Sequence, residues 1–416
     1  MVLLVFAIVD QSLRYNMEIT NYQLPITNVS WCLRTQHDED LDMAQAFIEG
    51  NEAIARGAIK AGCGFFAGYP ITPASTILQY MLELLPATGG VALQAEDEIA
   101  SIGFCIGASM AGRKAMTATS GPGISLYSEN IGLAIVGETP LVIVNVQRQG
   151  PATGSATKGA EGDIQFSRWV TSGGIPMIAL SPATVAEAYE LTVRAFNYAE
   201  QLRVPVFLLT SKEIGLTRET VDLDAIELPA NVDRCRVSES VDYRPHDFDQ
   251  PAQVPLISDF GGPHVTQYTT STHNKDGFLT ADPEVIQEMI DHYIAKIEAV
   301  ADEIALYKKD MEAGADILII SYGVISRSVS VAVSVLRERG IKVSSLVLQT
   351  LFPVPESVIK SALTGVQKVV IPEMNMGQYR LEIERLVSGD VEVVGVNKMD
   401  TTLISPAEII AQGGFA

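Results

Sequence analysis

This sequence is short of the residue types that most often carry chemistry. Among its 416 residues are four cysteines, Cys32, Cys63, Cys105 and Cys235, far apart and never as CxxC. Such spacing excludes a zinc or iron–sulfur site built from this chain's thiolates and offers no disulfide framework, so a reducing cytoplasm is the expected compartment. Of its five histidines none lies between residues 38 and 245, which leaves a local Ser/His/Asp hydrolase without a base there. Basic residues are scarce as well: 29 Lys and Arg against 50 Asp and Glu give a net charge of −21. That acidity excludes nucleic acid and anionic membrane as partners. The apolar run VLLVFAIV at 2–9 is too short to cross a bilayer and lacks the basic region that opens a signal peptide.

What is present is enough apolar material for two or three domains: 47% hydrophobic and 19% charged residues, normal for large buried sheets. Residues 1–43 carry no clear periodicity and are set aside as a leader or a misassigned start, expected to be disordered. From 44 to 228, helical patterns alternate with short apolar runs: helix 47–61, then strands GFFAGY (64–69), VALQA (91–95), KAMTAT (114–119), PLVIVNVQ (140–147) and VPVFLLT (204–210). Alternation of this kind predicts a parallel sheet covered on both faces, with its functional edge at the carboxyl ends of the strands. Residues 229–310 break the pattern and predict an irregular insertion, including STHNKDG around His273, that either covers the site or packs between domains, packing being the expectation, plus a connecting helix across 282–312. From 311 to 416 the alternation returns as a second, smaller domain. The expected fold class is α/β, with two parallel-sheet domains.

Three loops follow apolar strands and should converge on one edge: YPITP (69–73), AEDEIAS (95–101) and QRQGPATGSATKGAEGD (147–163). In the first, Pro70 and Pro73 remove two donors and stiffen the backbone. A plain account is a rigid connection with Thr72 or Ser75 capping the next helix. In the second, Glu96 and Asp97 suit a helix N-terminus electrostatically, whereas Glu98 precedes a small and apolar helix. It is expected to be buried, as befits a carboxylate that exchanges protons. Gly103, Gly107 and Ala111 recur every four residues, a spacing that lets another backbone approach closely. In the third loop, Arg148 can grip a carboxylate with two prongs, and Lys158 either assists or is a solvated loop charge. TSGPG (119–123) matches neither GxxxxGK[ST] nor GxGxxG and is read as a tight strand-to-helix turn.

Taken together, GYPITPAS, AEDEIASIGFCIGASMAG, TATSGPG, VNVQRQGPATGSATKGAEGD, YGV and PEMNMGQ resemble the α subunit of 2-oxoacid:ferredoxin oxidoreductases, particularly the 2-oxoglutarate type. The resemblance covers roughly residues 46 to 416. It implies a pyrimidine-binding domain for thiamine diphosphate at 44–228 and a transketolase C-terminal-like domain at 311–416. It also implies that Glu98 protonates the pyrimidine ring, with Tyr69, Pro70 and Thr72 beside the cofactor. Thr72 and Arg148 would hold the carboxylate of the 2-oxoacid. Gln149, Ala152 and Ala156 depart from the glycine, serine and proline common in that loop. In this family the magnesium and iron–sulfur cluster belong to a β subunit. Further γ and ferredoxin-like δ subunits, CoA and ferredoxin are expected, and the chain is expected to act only with its partners. Three other readings share some of these features. The substrate could be pyruvate or a branched-chain 2-oxoacid, the chain a lipoamide-linked dehydrogenase β chain, or the protein a degenerate assembly subunit.

Overall fold

Four strands of four or more residues are buried along their whole length, and this sets the architecture. In the computed structural model, which describes residues 45–415, these are β2 (Phe65–Gly68), β4 (Ala115–Thr119), β5 (Leu141–Gln147) and β7 (Pro205–Ser211). Burial without alternation is the mark of a sheet covered on both faces. The leader expected at 1–43 lies outside the described residues. With β3 (Val91–Gln94), β6 (Ile178–Leu180) and β12 (Thr350–Phe352) these strands form a seven-stranded sheet of order β12-β6-β7-β5-β4-β2-β3. All its pairings are parallel except β12 with β6. Helices 50–60, 75–84 and 185–202 place Ile54, Ile77, Met81 and Phe196 on one face. Helices 98–110 and 121–136 place Ile102, Ile106, Ile124 and Ile131 on the other.

The second sheet, order β14-β13-β10-β11-β9, joins β9 (Tyr307–Asp310), β10 (Ile317–Tyr322), β11 (Val343–Leu348), β13 (Lys368–Glu373) and β14 (Glu392–Asn397). Three expectations need correction. Helix 47–61 starts only at Gly50, because Gln45–Glu49 (β1) pairs antiparallel with Arg218–Asp222 (β8). The helix expected over 282–312 ends at Glu298, and β9 instead pairs antiparallel with β11. Gln349 N and Thr350 N both donate to Leu306 O, so sheet pairing overrides a helix-compatible stretch. Strand β12, inside the span read as the second domain, closes the edge of the first sheet. Among the described residues no helix is long and apolar enough to cross a membrane.

The insertion is pinned to the amino-terminal edge of the first sheet, opposite the strand ends that carry the candidate loops. Glu138, wholly buried after helix 121–136, receives Lys296 Nζ at 2.7 Å, His246 Nδ1 at 2.8 Å and His292 Nε2 at 2.8 Å. Arg203 Nε donates to the Glu138 carbonyl, and His273 Nε2 lies 2.9 Å from the Val136 carbonyl. STHNKDG therefore packs here and does not reach the strand ends. Burial alone would push Glu138 up, but Lys296, Arg203 and the two imidazoles hold it well below the usual carboxylate range. Burial lowers His246 to about 4, against the hydrogen bond and charge of Glu138.

Both shifts are depressions, so both contribute stability that is complete at high pH and lost on acidification. Between the ordinary histidine value of 6.5 and about 4 the unfolded chain binds the proton that folded His246 refuses. The unfolding midpoint is expected to fall steadily as pH drops from 7 toward 5, and His246→Gln to flatten that slope. Glu138→Ala, which strands Lys296 and Arg203 without their anion, should destabilise the chain by about 3–5 kcal/mol in chemical denaturation at pH 7.

Candidate active site

The connection from β2 to β3 runs outward, and the chain then returns past β2 to β4, so helices after β2 and β4 leave to opposite faces. A crevice opens at the carboxyl ends of strands where such a reversal occurs. Loops 69–74 and 95–97, the turn at Ser120 and loop 148–163 all border it.

Glu98 is the first residue of helix 98–110, whose start is capped by Asp97 accepting from Ala100 N at 2.7 Å. Its side chain is buried at 8% exposure, and its carboxylate makes no hydrogen bond to any described residue. It packs against Gly123, where a Cβ would stand 3.0 Å from Glu98 Cγ and 1.9 Å from Thr119 Oγ1. The TSGPG segment is the tight turn expected: Thr119 ends β4 and Gly121 opens the next helix. By contrast Gly103, on the same helix as Glu98, faces open space in this chain, so no backbone approaches it there.

Thr72 is exposed, Tyr69 half-buried and Pro70 exposed. Neither Thr72 nor Ser75 caps helix 75–84, which begins after Ala74 with no side-chain cap. The loop is held by its carbonyls instead. Arg148 Nη1 donates to Thr72 O at 2.6 Å, and buried Asn51 donates from Nδ2 to Pro73 O at 2.9 Å. Arg148 Nη2 donates to Thr153 O at 3.1 Å. Both prongs thus hold protein carbonyls, and Nε is the buried atom of this guanidinium left without a partner. Lys158 is exposed; its carbonyl accepts from Gln149 N, and its amine is not brought to Arg148.

Asp163 was not anticipated. Asn145 Nδ2 donates to its Oδ2 at 3.0 Å, its N–H donates to Gln147 Oε1 at 3.1 Å, and Arg148 lies within electrostatic reach. Burial pushes the Asp163 carboxyl up, while Asn145 and Arg148 pull it down. Around it, Ser120 Oγ, Asn145 Oδ1, Gln147 Nε2 and Arg148 Nε are buried without hydrogen-bond partners. Buried polar atoms are normally satisfied, so a group of exceptions at one strand edge marks where a polar ligand or water docks. Asn51 and Asp163 left no signal in spacing or composition. Among the described residues no group of three or more His, Cys, Asp or Glu could hold a metal ion.

Glu98, Thr72 and Arg148 all follow parallel strands at the carboxyl edge of the first sheet, and the match of this domain to a thiamine-diphosphate-binding family gives the class of enzyme. The chain belongs to the pyruvate flavodoxin/ferredoxin oxidoreductase family. Its thiamine-diphosphate-binding domain matches residues 56–292, and core domain II of pyruvate:ferredoxin oxidoreductase matches residues 315–409. The 2-oxoglutarate synthase subunit KorA of Methanocaldococcus jannaschii is 43% identical over 88% of this chain and 98% of its own length. The ketoisovalerate oxidoreductase subunit VorB of Methanothermobacter thermautotrophicus is 33% identical over 88% of this chain and 97% of its own. A 2-oxoglutarate:ferredoxin oxidoreductase from Magnetococcus marinus, solved with 2-oxoglutarate, coenzyme A and succinyl-CoA bound, superposes with a TM-score of 0.83 at 30% identity. That match covers 89% of this chain and 64% of the other. A split-gene transketolase shares the fold at a TM-score of 0.51 and 12% identity, over 89% of this chain and 98% of its own.

The contrast between two glycines tests this packing. Gly123→Ala must displace Thr119 or Glu98 and is expected to destabilise the chain by about 1–3 kcal/mol. Gly103→Ala meets nothing and should stabilise the isolated chain by up to about 1 kcal/mol, as alanine does within a helix. Chemical denaturation of the two variants checks both.

Proposed function

We propose that this chain is the α subunit of a thiamine-diphosphate-dependent 2-oxoacid:ferredoxin oxidoreductase. Its reaction is the CoA-dependent oxidative decarboxylation of 2-oxoglutarate to succinyl-CoA and carbon dioxide, with electrons passed to ferredoxin. The observation that carries this is the unpartnered Glu98 carboxylate, sharing a crevice with Thr72 and Arg148, in a chain resembling 2-oxoglutarate synthase subunits over nearly their whole length. Higher identity to those subunits than to the ketoisovalerate subunit, 43% against 33%, favours 2-oxoglutarate over branched-chain oxoacids.

The residues present fit the pyrimidine half of thiamine diphosphate. A buried carboxylate with both oxygens free of protein donors suits a protonated ring nitrogen, and Tyr69 and Pro70 border the same crevice. When bound, the cofactor supplies a carbon nucleophile and an electron sink for decarboxylation. Glu98 holds and moves the proton at the ring nitrogen. The Thr72 hydroxyl donates to the substrate's carboxylate, set in place by the hold of Arg148 and Asn51 on its own loop. Arg148 adds its charge and Nε to the same carboxylate, and Lys158 reaches it only if loop 148–163 folds inward. Magnesium, the cofactor's diphosphate and the iron–sulfur cluster are assigned to a β subunit, with γ and ferredoxin-like δ subunits completing a cytoplasmic complex.

Co-purification with the partner subunits, followed by CoA-dependent viologen reduction with a panel of 2-oxoacids, tests the reading. Turnover is expected with 2-oxoglutarate above pyruvate and 2-oxoisovalerate. Preference for another 2-oxoacid would replace the substrate, and inactivity with all of them, with cofactor and cluster bound, would overturn the function. Glu98→Gln should lower kcat by about 10²–10⁴-fold, the usual contribution of a positioned proton donor.

A further inference from the structure

The motifs YGV (322–324) and PEMNMGQ (372–378) lie in the second domain and touch none of the residues assigned above. Both grip the segment 159–165 of the first domain. Buried Asn375 donates from Nδ2 to Glu161 O at 2.9 Å and to the Tyr322 hydroxyl at 2.8 Å. Its Oδ1 accepts from Gly377 N and Gln378 N, both at 2.8 Å, so the side chain is fixed before it reaches across. Gln378 donates from Nε2 to Gly162 O at 2.6 Å and accepts from Gln165 N at 3.0 Å. Glu161 N donates to Met374 O at 2.9 Å, and Val324 N donates to Glu161 Oε1 at 3.3 Å. Gly323 (φ 56) leaves room for that carboxylate: a Cβ would stand 2.4 Å from Oε1.

These contacts bracket Asp163 on both sides, from residues 161 and 162 and from residue 165. Asp163 is in turn the group that receives Asn145, donates to Gln147 and faces Arg148. Arg148 holds the carbonyl of Thr72. We infer that Asn375 and Gln378 are positioning residues. They anchor 161–165 so that Asp163 fixes Gln147, the chain neighbour of Arg148, and through Arg148 the loop that binds the 2-oxoacid's carboxylate. The role in substrate binding rests on the function proposed above; the anchoring itself rests on geometry alone. A carboxylate-binding group displaced by about 1 Å loses up to about two orders of magnitude, so the effect belongs to substrate affinity.

Two variants separate this from a merely structural role. Asn375→Asp keeps the acceptor for Gly377 N and Gln378 N but removes the donor to Glu161 O. Gln378→Ala removes the side-chain bonds to Gly162 O and Gln165 N without touching Asn375, leaving the bond from Gln165 Nε2 to the carbonyl of residue 378. Hydrogen–deuterium exchange on the full chain reads the anchor directly. Peptides spanning 148–163 should lose protection in both variants, while those from β5 and β7 keep theirs. In the reconstituted complex, KM for the 2-oxoacid should rise about tenfold or more with kcat within about twofold and KM for CoA unchanged. Unchanged exchange at 148–163 in both variants overturns the anchor. Loosened exchange with an unchanged KM, or a fall in kcat alone, overturns the link to substrate. If the wild-type complex turns over no 2-oxoacid, the proposed function fails, and the exchange result still decides the anchor.

Discussion

Arg148 is the cross-link on which the crevice depends. Its two terminal nitrogens join loops that leave different strands, one through Thr72 O and the other through Thr153 O. Without that link, among the described residues, YPITP would keep the bond from Asn51, and the QRQG loop its own turn, where Gly154 (φ 50) lets the chain pass Gln149 O, and the bond from Asp163 N to Gln147. Hydrogen bonds from a charged donor in a protected setting are stronger than neutral ones. Burial lowers the guanidinium, while Asp163 raises it. The arginine is thereby first a part of the framework, with Nε the atom of its guanidinium left over for the role proposed above.

The two edges of the first sheet are built on opposite rules. At the amino-terminal edge the donors of the Glu138 cluster all face acceptors: Lys296 and both imidazoles the carboxylate, Arg203 four carbonyls. Arg234 adds a buried ion pair to Glu200 at 2.6 Å and donates to Ser109 O. At the carboxyl edge Ser120, Asn145, Gln147 and Arg148 keep unpaired atoms, and Glu98 keeps a free carboxylate. Buried polar atoms are normally satisfied, so these are the atoms that a polar ligand or water can meet. A firm insertion at one edge and an unsatisfied cleft at the other is the division expected when ligand binding completes the second.

Much of this was legible in the chain. Apolar runs marked the buried strands, and the loops after them carried Thr72, Glu98 and Arg148 to one edge, because parallel strands align their carboxyl ends. What stayed hidden depends on partners far away in sequence. Asp163 becomes informative only once Asn145 and Gln147 lie beside it, and Asn375 meets Glu161 across more than two hundred positions. Strand β9 and the antiparallel β12 are set by pairing with neighbours rather than by their own pattern, which is why a helix to 312 read plausibly. The histidines told only half their story. Their absence between 38 and 245 excluded one chemistry, while three of those beyond 245 serve a buried structural cluster.

The open side of the crevice has its own logic. Ile99 and Leu126 are 50% and 47% exposed, on the two helices that carry Glu98 and Gly123, and Gly103 between them presents bare backbone. Scattered exposed apolar residues need no account, but these two stand in the first two turns of the helices that hold Glu98 and Gly123, and the Glu98 carboxylate receives no hydrogen bond from any described residue. A surface of this kind gains most when another protein covers it, since the cover both buries the apolar side chains and lowers the dielectric around Glu98. Charges and hydrogen bonds inside then act more strongly than they could in an open cleft. The role proposed for Glu98, handling a proton on a helix where Gly103 meets no neighbouring atom, is the expected design of a site shared between two subunits.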